Sequence, residues 1–248
     1  MDNVRNTFAI FKRELKSYFE SPVAYVFMVV FLILIGFLTF SVHHFYERRI
    51  ADLQPFFFWH PWVFLLLMPT ATMGLWAEER RSGTIELLLT MPITMTQAIV
   101  GKFLAAWLFI VMAIALTIPT MVGTVCYLGN PDIGVIICGY TGSILLAGAC
   151  AAVGMLTSSI TRNQVISFVL ALSICLLLLL AGWEPVTGLL SSWAPAWLVN
   201  GIASLSFMPH FDAIQRGVLD LKDIAYYISV MIFMIFATHV VLGNRKSA

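Results

Sequence analysis

Long uncharged runs alternate with short charged segments along the whole sequence. Each run is at least as long as the roughly 20 residues that a helix needs to cross a membrane. The runs occupy positions 21–46, 53–77, 103–131, 133–161, 163–183, 185–211 and 224–244. This pattern predicts an all-α membrane protein.

Run 185–211 differs from the others because its backbone is repeatedly broken. It contains three prolines and two glycines: Pro185, Gly188, Pro195, Gly201 and Pro209. A helix that faces lipid must satisfy its own backbone hydrogen bonds, which this composition opposes. We therefore expect a re-entrant or surface segment of short helices here, and six transmembrane helices elsewhere. The expected spans are roughly 23–44, 58–77, 103–127, 133–159, 163–181 and 224–243.

The distribution of Lys and Arg favours one orientation of these six spans. With the N-terminus inside, the cytoplasmic segments hold 10 of the 14 Lys and Arg residues, so both termini are expected in the cytoplasm. A seventh span would leave this total unchanged, because Arg216 and Lys222 would exchange sides with Arg245 and Lys246. The broken backbone of 185–211, not the charge, therefore decides the number of spans.

The first 20 residues predict an amphipathic helix. Its apolar positions recur at spacings of four and three, while basic residues occupy the other sides; the apolar positions are Val4, Phe8, Phe11, Leu15 and Tyr18. A helix with this pattern and a basic polar face is expected to lie in the membrane interface. A soluble helix on a neighbouring domain is the alternative.

The stretch 77–102 is the long charged interruption in the first half of the chain. The cluster Glu78–Arg81 cannot sit in hydrocarbon, so the chain is expected to leave the membrane there. Ser82–Thr84 predict a helix start, with Glu86 in the first turn and Pro92 as the stop. The pattern therefore predicts a short helix outside the bilayer whose leucine ridge docks into a groove of another protein.

Composition narrows the possible functions. The chain is 60% hydrophobic and 11% charged, against about 25% charged in soluble domains. Its net charge of +1 supports no nucleic-acid partner. No Asp, Glu, Lys or Arg lies near the middle of an expected span, which argues against a carrier driven by an ion gradient. The small residues of the fourth span predict a helix at the centre of the bundle.

Cysteines and histidines offer little chemistry. The four cysteines lie in or at the ends of apolar runs without metal-ligand spacing, and we interpret them as ordinary apolar residues. A metal site or a membrane enzyme could use polar groups expected on the outer side, but histidines in interfacial loops are the favoured interpretation. These groups are His43, His44, Glu47, His60, His210 and Asp212.

Two segments resemble ABC type 2 permeases. Positions 76–93, WAEERRSGTIELLLTMPI, followed by Gly101-Lys102, resemble the segment after the second span in that family. Positions 207–220 resemble the outer segment before its last span. With the amphipathic start, the resemblance covers essentially all of 1–248 as a single permease domain. It is closest to the branch that holds the gliding-motility permease GldF and the NosY-type permeases.

The resemblance implies a set of partners. These are a cytosolic ABC ATPase dimer that holds ATP and Mg, a second permease subunit that is an identical or related chain, and in some systems a large extracytoplasmic subunit. The chain itself would bind no cofactor and carry no catalytic site. The absence of a GxxxxGK[ST] sequence agrees with an ATPase on another polypeptide. The expected location is the bacterial cytoplasmic (inner) membrane.

The resemblance also implies roles for particular residues. The N-terminal helix would be the connecting helix, with Phe8, Phe11, Lys12 and Leu15. The residues implied in coupling to the ATPase, around a coupling helix over 83–89, are Glu78, Glu79, Arg80, Arg81, Gly83, Thr84, Glu86, Leu87 and Leu88. The outer re-entrant segment would include Trp183, Glu184, Pro185 and Pro209.

The expected function is therefore ATP-driven export of lipid-linked or amphiphilic cargo, or of a cell-envelope component. Two alternatives stay open at this stage. The membrane part could relay ATPase motion to an extracytoplasmic partner without carrying cargo, or the outer histidines could serve a membrane enzyme.

Overall fold

Helices make up nearly all of the chain, and no strand occurs among the residues that the structure describes. The structure is a computed structural model, and it describes residues 2–43, 45–47, 51–84, 93–192 and 194–244. The α-helices are α1 Asp2–Glu20, α2 Pro22–Phe37, α3 Gln54–Thr72, α4 Gly74–Ser82, α5 Met95–Ala115, α6 Ile118–Leu128, α7 Ile133–Ile160, α8 Gln164–Leu180, α9 Glu184–Ser191, α10 Ala196–Ser204, α11 Phe207–Gln215 and α12 Leu221–Asn244. A π-helical turn, Leu38–Val42, prolongs α2.

Most of the expected spans correspond to long apolar helices. Within the described ranges, 5 stretches are long and apolar enough to cross a membrane: Pro22–Val42, Gln54–Ser82, Met95–Leu128, Ile133–Ile160 and Leu221–Asn244. The fifth expected span corresponds to α8, which qualifies together with α9 across a bend of 68°. The prediction of an all-α membrane protein is confirmed.

Contacts near the helix termini show which termini lie together at each end of the bundle. At one end, which we call the α1 end, the Arg80 side chain donates to the Ser159 carbonyl, and Thr96 Oγ1 lies 3.4 Å from His239 Nδ1. At the opposite end, which we call the α11 end, Cys138 Sγ lies 3.7 Å from the Gly217 carbonyl. Helix α7 reaches both ends, since its residues Cys138 and Ser159 lie about 30 Å apart at 1.5 Å per residue. Helix α1 and the last turn of α12 therefore share one end, as a six-span chain requires.

Helix α7 lies at the centre of the bundle because its glycines admit neighbouring side chains. A Cβ atom on Gly139 would lie 2.3 Å from the Phe57 ring, and one on Gly154 would lie 1.9 Å from Thr72 Oγ1. These contacts pack α3 directly onto the α7 backbone. The central position agrees with the prediction from the small residues of the fourth span.

The run 185–211 is broken into short helices, as predicted. Helices α9 and α10 are largely exposed, with Leu189 at 71% and Trp197 at 74%. Helix α11 instead packs into the bundle, and Pro209 lies so close to Gly182 that a Cβ there would meet it at 2.7 Å.

The charged cluster after span two differs from its prediction. Glu78–Arg81 belong to α4, a helical extension of α3, so the helix does not end at Ala77. The Ser82 hydroxyl donates to the Glu78 carbonyl within α4. Gly83, with φ 74°, then ends the helix, since glycine adopts this left-handed conformation without strain. Thr84 again has helical backbone geometry. The rest of the expected coupling helix, with Glu86, Leu87 and Leu88, lies in 85–92, outside the described residues.

Candidate functional site: an ion cluster beneath the first helix

Helix α1 packs against α5 through a glycine. A Cβ atom on Gly101 would lie 2.9 Å from Ile10 Cγ2 and 3.1 Å from the Thr7 carbonyl oxygen. The Ile10 side chain is buried at this contact. A residue with a side chain at position 101 would therefore force α1 away from α5.

The last turns of α1 are fixed by an aromatic contact. Tyr18 stacks on Phe109 with ring centroids 4.8 Å apart and donates a hydrogen bond of 3.0 Å to the Ala71 carbonyl. Burial, together with the negative charge of Glu14, raises the pKa of Tyr18, so the phenol keeps its proton and remains a donor. Helix α1 is thus held to both α3 and α5.

A buried lysine joins three helices at the same place. Lys102 Nζ of α5 lies 2.8 Å from Glu79 Oε1 of α4 and 3.2 Å from Glu14 Oε2 of α1. The residue is only 2% exposed, and its ammonium group lies 5.2 Å from the Trp76 ring centroid. Arg13 gives Glu14 a second cation, at 2.7 Å from Glu14 Oε1. We call Glu14, Glu79 and Lys102 the Lys102 cluster.

The cluster is costly to break because its charges are removed from water. Taking one partner from a buried ion pair leaves an uncompensated charge, which costs about 3–5 kcal/mol. Moving α4 without α1 and α5 would separate these charges. The three helices are therefore expected to move together.

Helix α4 is also tied to α7 by Ser158, whose side chain hydrogen-bonds backbone groups at the start of α4. The Ser158 hydroxyl donates to the Met73 carbonyl at 2.8 Å and accepts from the amides of Trp76 and Ala77 at 2.9 and 3.0 Å. The Ser158 hydroxyl thus hydrogen-bonds backbone groups on both sides of the break between α3 and α4 at Met73. The Arg80 guanidinium bonds the Ser159 carbonyl at 2.5 Å, at the carbonyl end of α7 where a cation is favoured.

The structure brings together some of the residues implied in coupling. Glu79 and Arg80 point into the bundle and make the contacts above, whereas the other described members of the set are exposed: Glu78, Arg81, Gly83 and Thr84. The sequence interpretation missed Glu14, Lys102 and Ser158 as contact residues. Glu14 could have been found from its spacing, since it lies four residues from both Ile10 and Tyr18, on the packed side of α1.

The connecting-helix residues only partly share this packed side of α1. Phe8 is 62% exposed and Lys12 is exposed, while Phe11 and Leu15 are partly buried. The predicted apolar stripe is therefore divided, with Val4 and Phe8 facing outward and Leu15 and Tyr18 packed against the core. Ile10, Glu14 and Tyr18 make the contacts with the spans.

The α11 end holds a second buried pair. His210 Nδ1 of α11 lies 2.6 Å from Asp223 Oδ1 of α12, and the His210 ring stacks on Tyr226 with centroids 4.0 Å apart. The Tyr227 hydroxyl donates to the Phe207 carbonyl at 2.9 Å. These contacts fix α11 to the first turns of the last span.

The expected outer residues lie around this second pair. The Trp183 ring contacts Trp62 edge to face at 5.7 Å, while Glu184 and Pro185 are exposed in the first turn of α9. Burial raises the pKa of Asp212, and the positive charge of Arg216 opposes this shift. The described part of the chain contains no group of three or more His, Cys, Asp and Glu residues arranged for a metal ion.

The histidine interpretation is corrected at two positions. His60 lies inside α3, fully buried among aromatic rings with Phe56 at 4.4 Å and Phe64 at 5.1 Å, not in an interfacial loop. His210 is likewise buried, because its carboxylate partner Asp223 is brought to it by the fold. His44 lies outside the described residues.

Comparison with known proteins gives one finding. A family model described as "ABC-2 family transporter protein" matches residues 66–243, from the middle of α3 to the last turn of α12. The search of curated proteins found no match.

Proposed function

The chain belongs to the ABC-2 family of transporter proteins, and we propose that it passes motion from a cytosolic ATPase dimer into its own membrane spans. As a family member it is the multi-pass membrane subunit of an ABC transporter, a type of subunit that generally lacks its own catalytic site. ATP and Mg would be bound by the partner ATPase. The chain would contribute the coupling surface and the moving helices.

The Lys102 cluster is the observation that carries this proposal. Helix α4 leads directly into Gly83 and Thr84, where the proposed coupling segment begins. The same helix is tied to α1 and α5 through Lys102, and to α7 through Ser158 and Arg80. A displacement of the coupling segment would therefore reach four helices at once.

The proposed orientation places the α1 end in the cytoplasm. The support is the positive charge of the segments assigned to that side, which hold 10 of the 14 Lys and Arg residues. Both termini would then be cytoplasmic, and the protein would lie in the bacterial inner membrane.

ATP binding can move the spans only if the ATPase binds their two arrangements with different affinities. The difference between these affinities limits the size of the shift. A second permease subunit, identical or related, would provide the surface against which these spans move.

We further propose export of lipid-linked or amphiphilic cargo, in the branch that includes the GldF and NosY-type permeases. The support is the uncharged middle of the spans, since a carrier of ions would place charged or polar groups there. The buried Lys102 does not conflict with this, because its carboxylate partners neutralise it near the α1 end.

Replacing Leu87 with Asp tests the coupling proposal. The variant and the wild-type chain would be purified from native membranes, and the ATPase activity that accompanies each would be measured. We expect equal insertion but at least a tenfold loss of accompanying ATPase activity, because the apolar ridge would lose its partner. Leu189→Asp, at a residue 71% exposed at the α11 end, is the control and should retain the activity. Full activity with Leu87→Asp would contradict the assignment.

A relay without cargo is the second candidate function. The bonds from α11 to α12 would carry motion of the last span to the exposed helices α9 and α10, where an extracytoplasmic subunit could bind. ATPase activity that rises with an amphiphilic substrate would favour export. Activity that rises only with an outer protein would favour the relay.

A further inference from the structure

An open apolar groove of about 700 Å³ lies between α1, α5 and α7. Its wall includes six apolar side chains from the three helices: Val4, Phe8, Phe11, Leu104, Leu108 and Ile144. The indole of Trp107 also lines the groove, and its Nε1–H already donates to the Ile144 carbonyl at 2.9 Å. The groove therefore offers mainly hydrocarbon contacts.

The groove exists because α1 has two apolar sides and only one of them reaches the bundle. Ile10 packs on Gly101, and Glu14 is drawn to Lys102, which fixes the rotation of the helix. The second side is left outside, with Val4 77% and Phe8 62% exposed. A rotation that buried this side would break the Lys102 cluster.

The inner wall of the groove belongs to the membrane. Leu104 and Leu108 lie in the candidate span Met95–Leu128, and Ile144 lies in Ile133–Ile160. Helix α1 carries charged residues on its other sides, so it marks the boundary with water. The groove thus joins the hydrocarbon region to the polar interface.

A basic stripe follows the groove along α1. Arg5, Lys12 and Lys16 are spaced by seven and four residues, which places them on one side of the helix, next to Phe8. All three are exposed. Glu14 binds Lys102, and Glu20 lies 3.1 Å from Lys16 at the end of the stripe. The exposed ammonium group of Lys12 is therefore the basic group that matters most at the rim of the groove.

We propose that this groove is a binding site for an anionic phospholipid, with one acyl chain against α5 and α7 and the head group beside Lys12. An apolar wall in the hydrocarbon region and a basic rim at the water boundary match the two parts of such a lipid. A zwitterionic lipid would fill the wall without gaining from the rim. The proposal depends on membrane insertion and not on coupling to an ATPase.

Native mass spectrometry of the full chain in detergent tests the proposal with two lipids. Phosphatidylglycerol and phosphatidylcholine with identical acyl chains would be titrated in competition. The wild type should retain phosphatidylglycerol preferentially. Lys12→Glu should lower this preference at least about fivefold, since the loss of one basic residue near an anionic surface already removes about that factor and the new carboxylate repels the head group. Leu108→Trp should reduce the binding of both lipids by filling the groove.

Matched variants separate the groove from the general lipid surface. Lys222→Glu reverses an exposed lysine at the start of α12, and Leu177→Trp enlarges a leucine that is 69% exposed on α8. Both should bind lipid as the wild type does. Equal retention of the two lipids in the wild type, or equal effects of the test and control variants, would overturn the proposal. A Leu108→Trp variant that no longer dimerises but still binds lipid would also overturn the proposal, because the groove would then be occupied by a second copy of the chain.

Discussion

The two ends of this helical bundle each contain a buried polar contact between helices, and the two contacts are built in different ways. At the α1 end, Lys102 serves carboxylates from two other helices that are distant in the sequence. At the α11 end, His210 and Asp223 lie only 13 residues apart on consecutive helices. The first arrangement joins separate parts of the chain, whereas the second fixes a local turn into the last span.

The partners of the two central residues sharpen this difference. Lys102 contacts carboxylates of two other helices, and Arg13 also contacts one of these carboxylates. The His210 ring has Asp223 2.6 Å from Nδ1 and the Ser204 carbonyl 3.3 Å from Nε2, so it contacts only α12 and the end of the preceding helix α10. Loss of the His210 contact would therefore loosen one local turn, whereas loss of the Lys102 contacts would separate three helices.

The largest predicted effect comes from removing the lysine. Lys102→Met leaves Glu79 without its cation and Glu14 with Arg13 alone, and we expect a loss of about 3–5 kcal/mol in the free energy of unfolding. Thermal unfolding in detergent measures it, with the exposed Lys222→Met as control. Adding Glu14→Gln and Glu79→Gln should restore most of the stability, because no buried charge is then left. A triple variant as unstable as the single one would show that the charges are not the cause.

A smaller effect is predicted for the histidine pair. Asp223→Asn keeps the shape of the side chain but removes its charge, and we expect a loss of about 1.5–3 kcal/mol, the contribution of one hydrogen bond to a charged group. The same unfolding measurement applies, with the exposed Asp220→Asn as the matched variant. A loss equal to that of Lys102→Met would remove the contrast between the two ends.

The smallest of the three effects concerns packing rather than charge. Gly101→Ala places a methyl group against Ile10, and we expect a cost of about 1–3 kcal/mol from overpacking. Gly123→Ala is the control, since a Cβ there meets nothing within 4 Å and the helix should not be destabilised. Combining Gly101→Ala with Ile10→Ala should recover part of the loss. No recovery would show that the contact of position 101 with Ile10 is not the cause of the loss.

The fold was largely predictable because a membrane permits few structures. Uncharged runs must become helices in order to bond their own backbone, so run lengths and the broken segment 185–211 predicted six spans. The helix ends were less predictable. Glu79 and Arg80 extend α4 because Lys102 and the Ser159 carbonyl come to them from distant positions, and a linear pattern shows only that charges are present.

The candidate site was predictable only in part for the same reason. The segment 76–93 indicated a coupling region, and Gly101-Lys102 belonged to the resemblance. The pairing of Lys102 with Glu14, however, depends on how α1 is rotated about its axis against α5, which the apolar stripe of α1 alone does not determine. The prediction followed the larger side chains, Phe8 and Phe11, whereas the helix packs through the small contact of Ile10 on Gly101.

The hydroxyl of Ser158 has a consequence for how span two can bend. A continuous helix resists bending because opening it strands an amide and a carbonyl in apolar surroundings. At Met73 those groups are already held by a side chain that both donates and accepts. Bending at this junction therefore leaves fewer backbone groups without a partner than bending within a continuous helix would.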